Sequence, residues 1–245
     1  MKKIVYPFIA LSVFITSAYA QNVGIGTTTP DSKAALEVSS TTKGLLPPRM
    51  DSTQRNAISS PPAGLVIYNS SINGLQCFNG TAWYSTVHYI GENYGGGIVF
   101  YVYDNGQHGL IAATADQSTG IQWYNGTYRY TGTTGDGLNA GAMNTALIIA
   151  TQMADNQTGN FAAKVCADYS VTVGGITYGD WYLPSEYELN LLYLQKNVVS
   201  GLSTNFYWSS SESDYFNAWF KGFHIGTQSA NDKGATYYVR AIRAF

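Results

Sequence analysis

Apolar and polar positions change period several times along the chain, and each change predicts an element. Residues 4–17 form one short apolar run between Lys2-Lys3 and the small-x-small tripeptide Ala18-Tyr19-Ala20. That order is the three-part pattern of a secretory signal peptide, and the run is shorter than the ~20 residues that span a bilayer. No later segment is apolar enough for long enough to span. Residues 21–30 (QNVGIGTTTP) are rich in Gly and Thr and carry no helical period, and residues 32–39 admit one short strand or helical turn. Leu45-Leu46-Pro47-Pro48-Arg49 reads as extended, because each proline pushes its predecessor out of the helical region. Asp51 predicts the cap of a short helix to Ile58, ended by Pro61-Pro62. Residues 64–69 (GLVIYN) and 75–79 (LQCFN) read as strands joined by a turn at Asn73-Gly74. Too little apolar content is present here for a large private core. Residues 21–88 therefore read as a small β-rich stalk or attachment module.

From residue 89 the pattern is that of one compact α+β domain, residues 89–245. Two apolar runs, 97–103 (GIVFYVY) and 109–114 (GLIAAT), flank Asp104-Asn105-Gly106-Gln107 and predict a hairpin. Residues 139–154 predict a helix whose buried face is Met143, Leu147, Ala150 and Met153, at 3-4 spacing. Residues 161–169 predict a second helix. Pro184-Ser185 opens a third, with Glu186 and Glu188 in its first turn and Leu189, Leu192 and Tyr193 inward. Residues 206–245 read as strands with polar loops.

Composition narrows the function. Charged residues are only 11% of the 245, against about 25% in an average soluble domain. Aromatics are 14%, with 20 tyrosines, and the net charge is −2. Removing residues 1–20 takes away Lys2 and Lys3 and leaves the mature chain more acidic still. A chain without basic surplus does not hold a phosphate backbone, so nucleic acid is excluded as a partner. An apolar fraction of 45% is too high for a disordered chain. Cys77 and Cys166 are far apart in sequence; export permits a disulfide between them, and two separate buried thiols fit equally.

Five blocks within 89–245 carry a resemblance. Residues 95–114 (GGGIVFYVYDNGQHGLIAAT), 162–168 (AAKVCAD), 180–192 (DWYLPSEYELNLL), 207–211 (YWSSS) and 238–245 (YVRAIRAF) resemble the Lcl C-terminal domain family. The resemblance implies a C-type-lectin-like fold, with two or three helices packed on antiparallel sheets, in a secreted or surface-exposed binding domain. In the family's namesake adhesin the domain follows a collagen-like stalk and is implicated in binding host glycosaminoglycans. Residues 23–30, 35–50 and 64–83 resemble an N-terminal module of Gram-negative surface proteins that is similar to segments of phage tail fibres. That likeness implies an attachment piece, possible as a homotrimer, on the outer surface of a Gram-negative bacterium.

Candidate residues follow from chemistry. Trp181 and Trp208 sit among apolar or small neighbours and read as core, whereas Trp219 lies in a more polar stretch and stays open between core and binding. Residues 209–231 hold many groups of exposed type, and in a lectin-like fold the late loops and strands form the ligand surface. Tyr215, Asn217, Trp219, Lys221 and His224 alternate enough to share part of a face and are the candidate ligand-binding residues. The ligand class is a glycan or a cell-surface protein. The Glu-Pro-Asn, Gln-Pro-Asp and Trp-Asn-Asp signatures of calcium-dependent lectins are absent. Glu212 and Asp214 are close enough to suggest Ca²⁺, which needs six to eight oxygens, so no metal and no cofactor is assigned. Arg240 and Arg243 are expected to pair with Glu186 or Glu188, with Arg240 sharing a strand face with Tyr238 and Ile242. No nucleophile elbow, zinc-helix motif or phosphate loop occurs, so no catalytic residue is nominated and the chain reads as a non-enzyme.

Overall fold

The structure is a computed structural model that describes residues 22–154 and 158–245. The predicted signal peptide, residues 1–20, lies outside the described residues. The chain divides into two compact units, one ending at Pro48 and the other Arg49–Phe245. In the first, β1 (Val23–Ile25) and β2 (Leu36–Val38) pair in parallel.

The second unit opens with β3 (Arg49–Met50) and α1 (Ser52–Asn56), which Asp51 caps through a reciprocal box with Gln54. Then come β4 (Val66–Asn69), β5 (Gly74–Phe78) and β6 (Trp83–Ser85), in a sheet ordered β3-β4-β5-β6. Strand alternation gives this sheet two unlike faces. The covered face buries Asn69 and Gln76 beside Ile67; Asn69 Nδ2 and Arg55 Nη1 each donate to Gln76 Oε1 at 2.8 Å. The open face carries Val66, Cys77 and Tyr84 in one row and Leu75 in the next.

The remainder is the α+β arrangement that the sequence predicts. β7 (Asn93–Tyr94), β8 (Gly97–Tyr103) and β9 (His108–Ala113) form an antiparallel sheet. Next follow β10 (Ser118–Gln122), α2 (Ala140–Met153), α3 (Ala162–Ala167), the hairpin β11 (Val171–Val173) and β12 (Ile176–Tyr178), and α4 (Glu186–Leu194). The chain closes with β13 (Phe206–Glu212), β14 (Asn217–Gly222), β15 (Gln228–Asp232), β16 (Thr236–Val239) and β17 (Ile242–Ala244). β17 returns to the sheet of β7–β9, ordered β17-β9-β8-β7; β10 and β13–β16 make a second, ordered β10-β16-β13-β14-β15, and β11-β12 stand as a two-stranded sheet. Among the described residues no helix is long and apolar enough to cross a membrane.

The β8 and β9 runs are apolar throughout because both of their faces are covered. Val99, Ile111 and Ala113 face a core with Ile148, Cys166, Trp181 and Trp208, while Ile98, Phe100, Leu110 and Ala112 face another with Leu189, Leu192, Tyr207 and Phe223. Trp181 and Trp208 are thus core residues, as expected. Cys166 is buried and Cys77 exposed, and both are free thiols.

Two expectations are corrected. α2 has the predicted bounds but the opposite face inward. Met143 is 67% exposed, and Leu147 and Met153 are exposed too, whereas Gly141, Asn144, Thr145, Ile148 and Gln152 are buried. The cause is a polar contact with the start of α4. The Glu188 carboxylate accepts from the Asn139 and Gly141 amides of α2 (2.8 and 3.2 Å), from Ser185 N (2.9 Å) and from Tyr182 Oη (3.1 Å), so one side chain caps two helices. Burial pushes its carboxyl above the usual range, against the pull of those donors. A Cβ on Gly141 would lie 2.4 Å from Glu188 Oε2.

The arginines also choose other partners. Glu188 is occupied by the helix ends, and Glu186 accepts from Gln228. Arg240 is fully buried and donates to Asp116 (2.7 Å) and to the carbonyls of Ala113, Ser200 and Gly201. Arg243 pairs with both Asp180 oxygens at 2.7 and 2.9 Å. Arg240 and Ala241 lie between β16 and β17, where the chain leaves one sheet for the other, so the alternation with Tyr238 and Ile242 does not hold.

Candidate functional site: an aromatic ledge on a buried ion pair

Residues 209–212 are not loop. They complete β13, and Ser209, Ser210, Ser211 and Glu212 are buried. Each finds internal partners: Ser209 Oγ donates to Trp219 O, Ser211 Oγ accepts from Glu186 N, and Ser210 N donates to Pro184 O. Glu212 is the acidic half of an ion pair with Lys233, Nζ to Oε1 2.5 Å, with the lysine fully buried. Its carboxylate also accepts from the amides of Thr131 and Gly132, at 3.0 Å each. Lys233 Nζ donates onward to the carbonyls of Arg129 and Tyr215, both at 3.0 Å, and sits 4.9 Å from the Trp123 ring centroid. Three acceptors match the three protons of an ammonium. The two carboxylates weighed for calcium both have protein partners: Glu212 is taken by this pair, and Asp214 accepts from the Phe216 and Asn217 amides and the Asn217 side chain. Those bonds, the Asn217 side chain first, hold the Asp214 carboxyl below the usual range. No cluster of three metal-ligating side chains occurs among the described residues.

The pair ties two segments together, residues 123–133 and the turn 213–217. Trp123 N donates to Lys233 O, and Lys233 N donates to Phe216 O. Above it lies a row of rings. Tyr124 and Tyr128 are 4.8 Å apart, Tyr128 and Phe216 5.2 Å, Phe216 and Tyr215 4.9 Å, and Tyr215 and Tyr130 5.0 Å. Tyr130 is 68% exposed and Phe216 53%. Tyr128 donates to both oxygens of Asp232 at 2.9 Å, and that bond pushes its phenol above the usual tyrosine range. We call this row the aromatic ledge.

The five residues nominated from sequence fall in three places. Tyr215 is part of the ledge. Asn217, Trp219 and Lys221 do share one face of β14, but Lys221 is buried, bonded to Asn190 and Gln228 (2.8 and 3.2 Å), and 4.9 Å from the Tyr193 ring. Its pKa is lowered by that burial. Trp219 is half-buried beside it. His224 is exposed on the turn after β14, edge-on to Phe206. Tyr124, Tyr128 and Tyr130 were not nominated. Their signal is three tyrosines within seven residues of a Gly/Asn/Thr-rich stretch (YNGTYRY), which has no strand or helix period to draw attention to it.

Two concavities lie elsewhere, where β4–β6 meet β7–β9. One of about 500 Å³ is lined by Asn73, Val87, His88 and Tyr103, and one of about 590 Å³ by Trp83, Tyr84, His88, Tyr89 and Glu92. His88 lines both, bonded to Glu92 at 2.8 Å and stacked on Tyr94 at 3.9 Å.

The architecture is an α+β domain with helices on antiparallel sheets and a row of rings on its surface. Comparison with known families agrees. The Lcl C-terminal domain model matches residues 112–243, and the chain belongs to that family. A second model, described as a phage tail like trimerisation region, matches residues 24–97. Both families are binding or structural rather than enzymatic, and together they indicate a surface- or fibre-associated protein. No curated protein matches the chain.

Proposed function

We propose that the chain is exported to the outer surface of a Gram-negative bacterium and acts there as an adhesin-like binding protein. In this reading residues 21–88 are a stalk module that assembles three copies, and residues 89–245 are a head that recognises a glycan or cell-surface protein through its late loops. The observation that carries it is the ledge: exposed rings held over a fully buried ion pair. Ordering those loops in the free protein removes an entropy cost that binding would otherwise meet. The test applies the folded mature chain to arrayed glycans, matrix proteins and whole cells, alongside Tyr215→Ala and Trp219→Ala variants. Binding lost in either variant is expected. A folded chain that binds none of these surfaces removes the reading.

A structural subunit of an envelope fibre is the second reading, favoured by the trimerisation-region match. It is separated by the same assay, since a fibre part without a ligand leaves every surface bare.

A further inference from the structure

We infer that the aromatic ledge is a saccharide site, that residues 124–130 supply as much of it as the late loops do, and that its ligand is a neutral hexose-based glycan. The inference rests on the proposed binding function and names the site and ligand class within it.

Three observations lead there. The first is construction. Both segments that carry the rings are held through their backbones by one buried pair: Lys233 binds the Arg129 and Tyr215 carbonyls, and Glu212 binds the Thr131 and Gly132 amides. Asn125 fixes the start of the same segment on α2, its amide N–H donating to Gln152 Oε1 at 3.0 Å. On this base Tyr130 and Phe216 are exposed, while Tyr124, Tyr128 and Tyr215 are half-buried beneath and beside them. A binding constellation works when its own supports are locked in this way.

The second is ring chemistry. Tyr and Phe are large, rigid, amphipathic groups that lose little rotamer entropy on contact. Tyr130, Tyr215 and Phe216 pack edge-to-face in succession, centroids 5.0 and 4.9 Å apart at 61° and 87°, so the rings brace one another and the row presents ring faces and ring edges in turn. A pyranose offers a face of C–H groups to such rings and a rim of hydroxyls to whatever surrounds them.

The third is charge. Two acids stand at the rim: Asp232 bonds Tyr128, and Asp214 caps the turn that carries Tyr215 and Phe216. Lys233 is buried and spent on Glu212, and the exposed Arg129 already has a partner of its own. Carboxylates accept bonds from sugar hydroxyls and repel sulfates and uronates, so the rim selects against a polyanion.

The experiment measures the mature full-length chain on immobilised malto-, cello-, manno- and chito-hexaose, with heparin and chondroitin sulfate as anionic probes. The expected result is binding to at least one neutral oligosaccharide, undiminished at high salt and about tenfold or more weaker in Tyr130→Ala and in Tyr215→Ala, equivalent to 1.4 kcal/mol or more. Met143→Ala, on the open face of α2 and outside the row of rings, is the control that keeps full binding. Retained circular dichroism and unfolding temperature show that the variants fold. Ledge-dependent binding confined to heparin, chondroitin sulfate or a protein overturns the ligand class and leaves the binding function standing. Neutral-glycan binding unchanged in both tyrosine variants overturns the site, again without touching the function. A folded chain that binds no probe in this panel or in the wider one overturns both.

Discussion

Lys233 keeps its ammonium inside the protein, among Glu212, two carbonyl oxygens and the Trp123 ring. Truncating it leaves a buried carboxylate facing two amides with its cation gone, and such changes cost about 3–5 kcal/mol. Lys233→Ala is therefore expected to lower the free energy of unfolding by that much, read by urea titration, with the larger share of the loss in segments 123–133 and 213–217 by hydrogen exchange. A loss under about 1 kcal/mol places the pair outside the folding cooperative unit and defeats this account. A different pair tests pH. Arg243 beside Asp180 holds that carboxyl below its ordinary range, so its folded pKa is lower than its unfolded one. The stabilisation it gives is full above the ordinary carboxylate pKa and disappears as pH falls through the lowered one. Asp180 is mostly exposed, so the whole effect is about 1 kcal/mol or less. Asp180→Asn should be less stable than the parent at neutral pH and equal to it in strong acid; parallel stability curves across the range contradict the assignment.

At the scale of elements, α2 shows how a buried acid overrides periodicity. An apolar stripe of Met143, Leu147 and Met153 looks outward because Glu188 draws the opposite side of the helix, at Gly141 in its first turn, onto the start of α4. Met143→Lys is expected to shift stability by under about 0.5 kcal/mol, as at an ordinary surface site. Gly141→Ala, which puts a methyl against Glu188, is expected to cost about 1–3 kcal/mol, as overpacking does. Thermal unfolding of the two variants decides, and the reverse order restores the sequence-derived face. The elements themselves were legible: the Asn73-Gly74 and Asp104-Asn105-Gly106 turns, the Asp51 and Ser185 caps and the runs of β8 and β9 all depend on neighbours within a few residues. What was not legible depends on distant partners. Arg240 meets Asp116, and Glu212 meets Lys233 and Thr131, across separations that no local pattern encodes. For the same reason Tyr215 could be nominated from its own stretch while Tyr128 and Tyr130 could not. Their membership of the ledge arises only when segment 123–133 is clamped against 213–217.

At the scale of the molecule, the sheet β3–β6 is built with its apolar side out. Its covered face is a network of Asn69, Gln76 and Arg55, and its open face shows Val66 at 44%, Leu75 at 40% and Tyr84 at 60% exposure. A small sheet left in this state exposes apolar area that a monomer has no means to cover. The match of residues 24–97 to a trimerisation region makes further copies of the same chain the occupant to test. Low charge on the sheet removes the repulsion that otherwise keeps like faces apart, and closed three-fold symmetry removes the risk of open-ended stacking. The prediction is that the mature chain runs at three times its protomer mass in native mass spectrometry and light scattering. Val66→Asp with Tyr84→Asp places two acids in one row of every copy, so desolvating and apposing them should return the assembly to monomer. Circular dichroism should stay unchanged, because neither side chain is buried within the protomer. A parent chain that is monomeric at all concentrations removes the trimer. A double variant that stays trimeric moves the interface off this face, and with it the physical reason for a sheet whose polar side is the one that is packed.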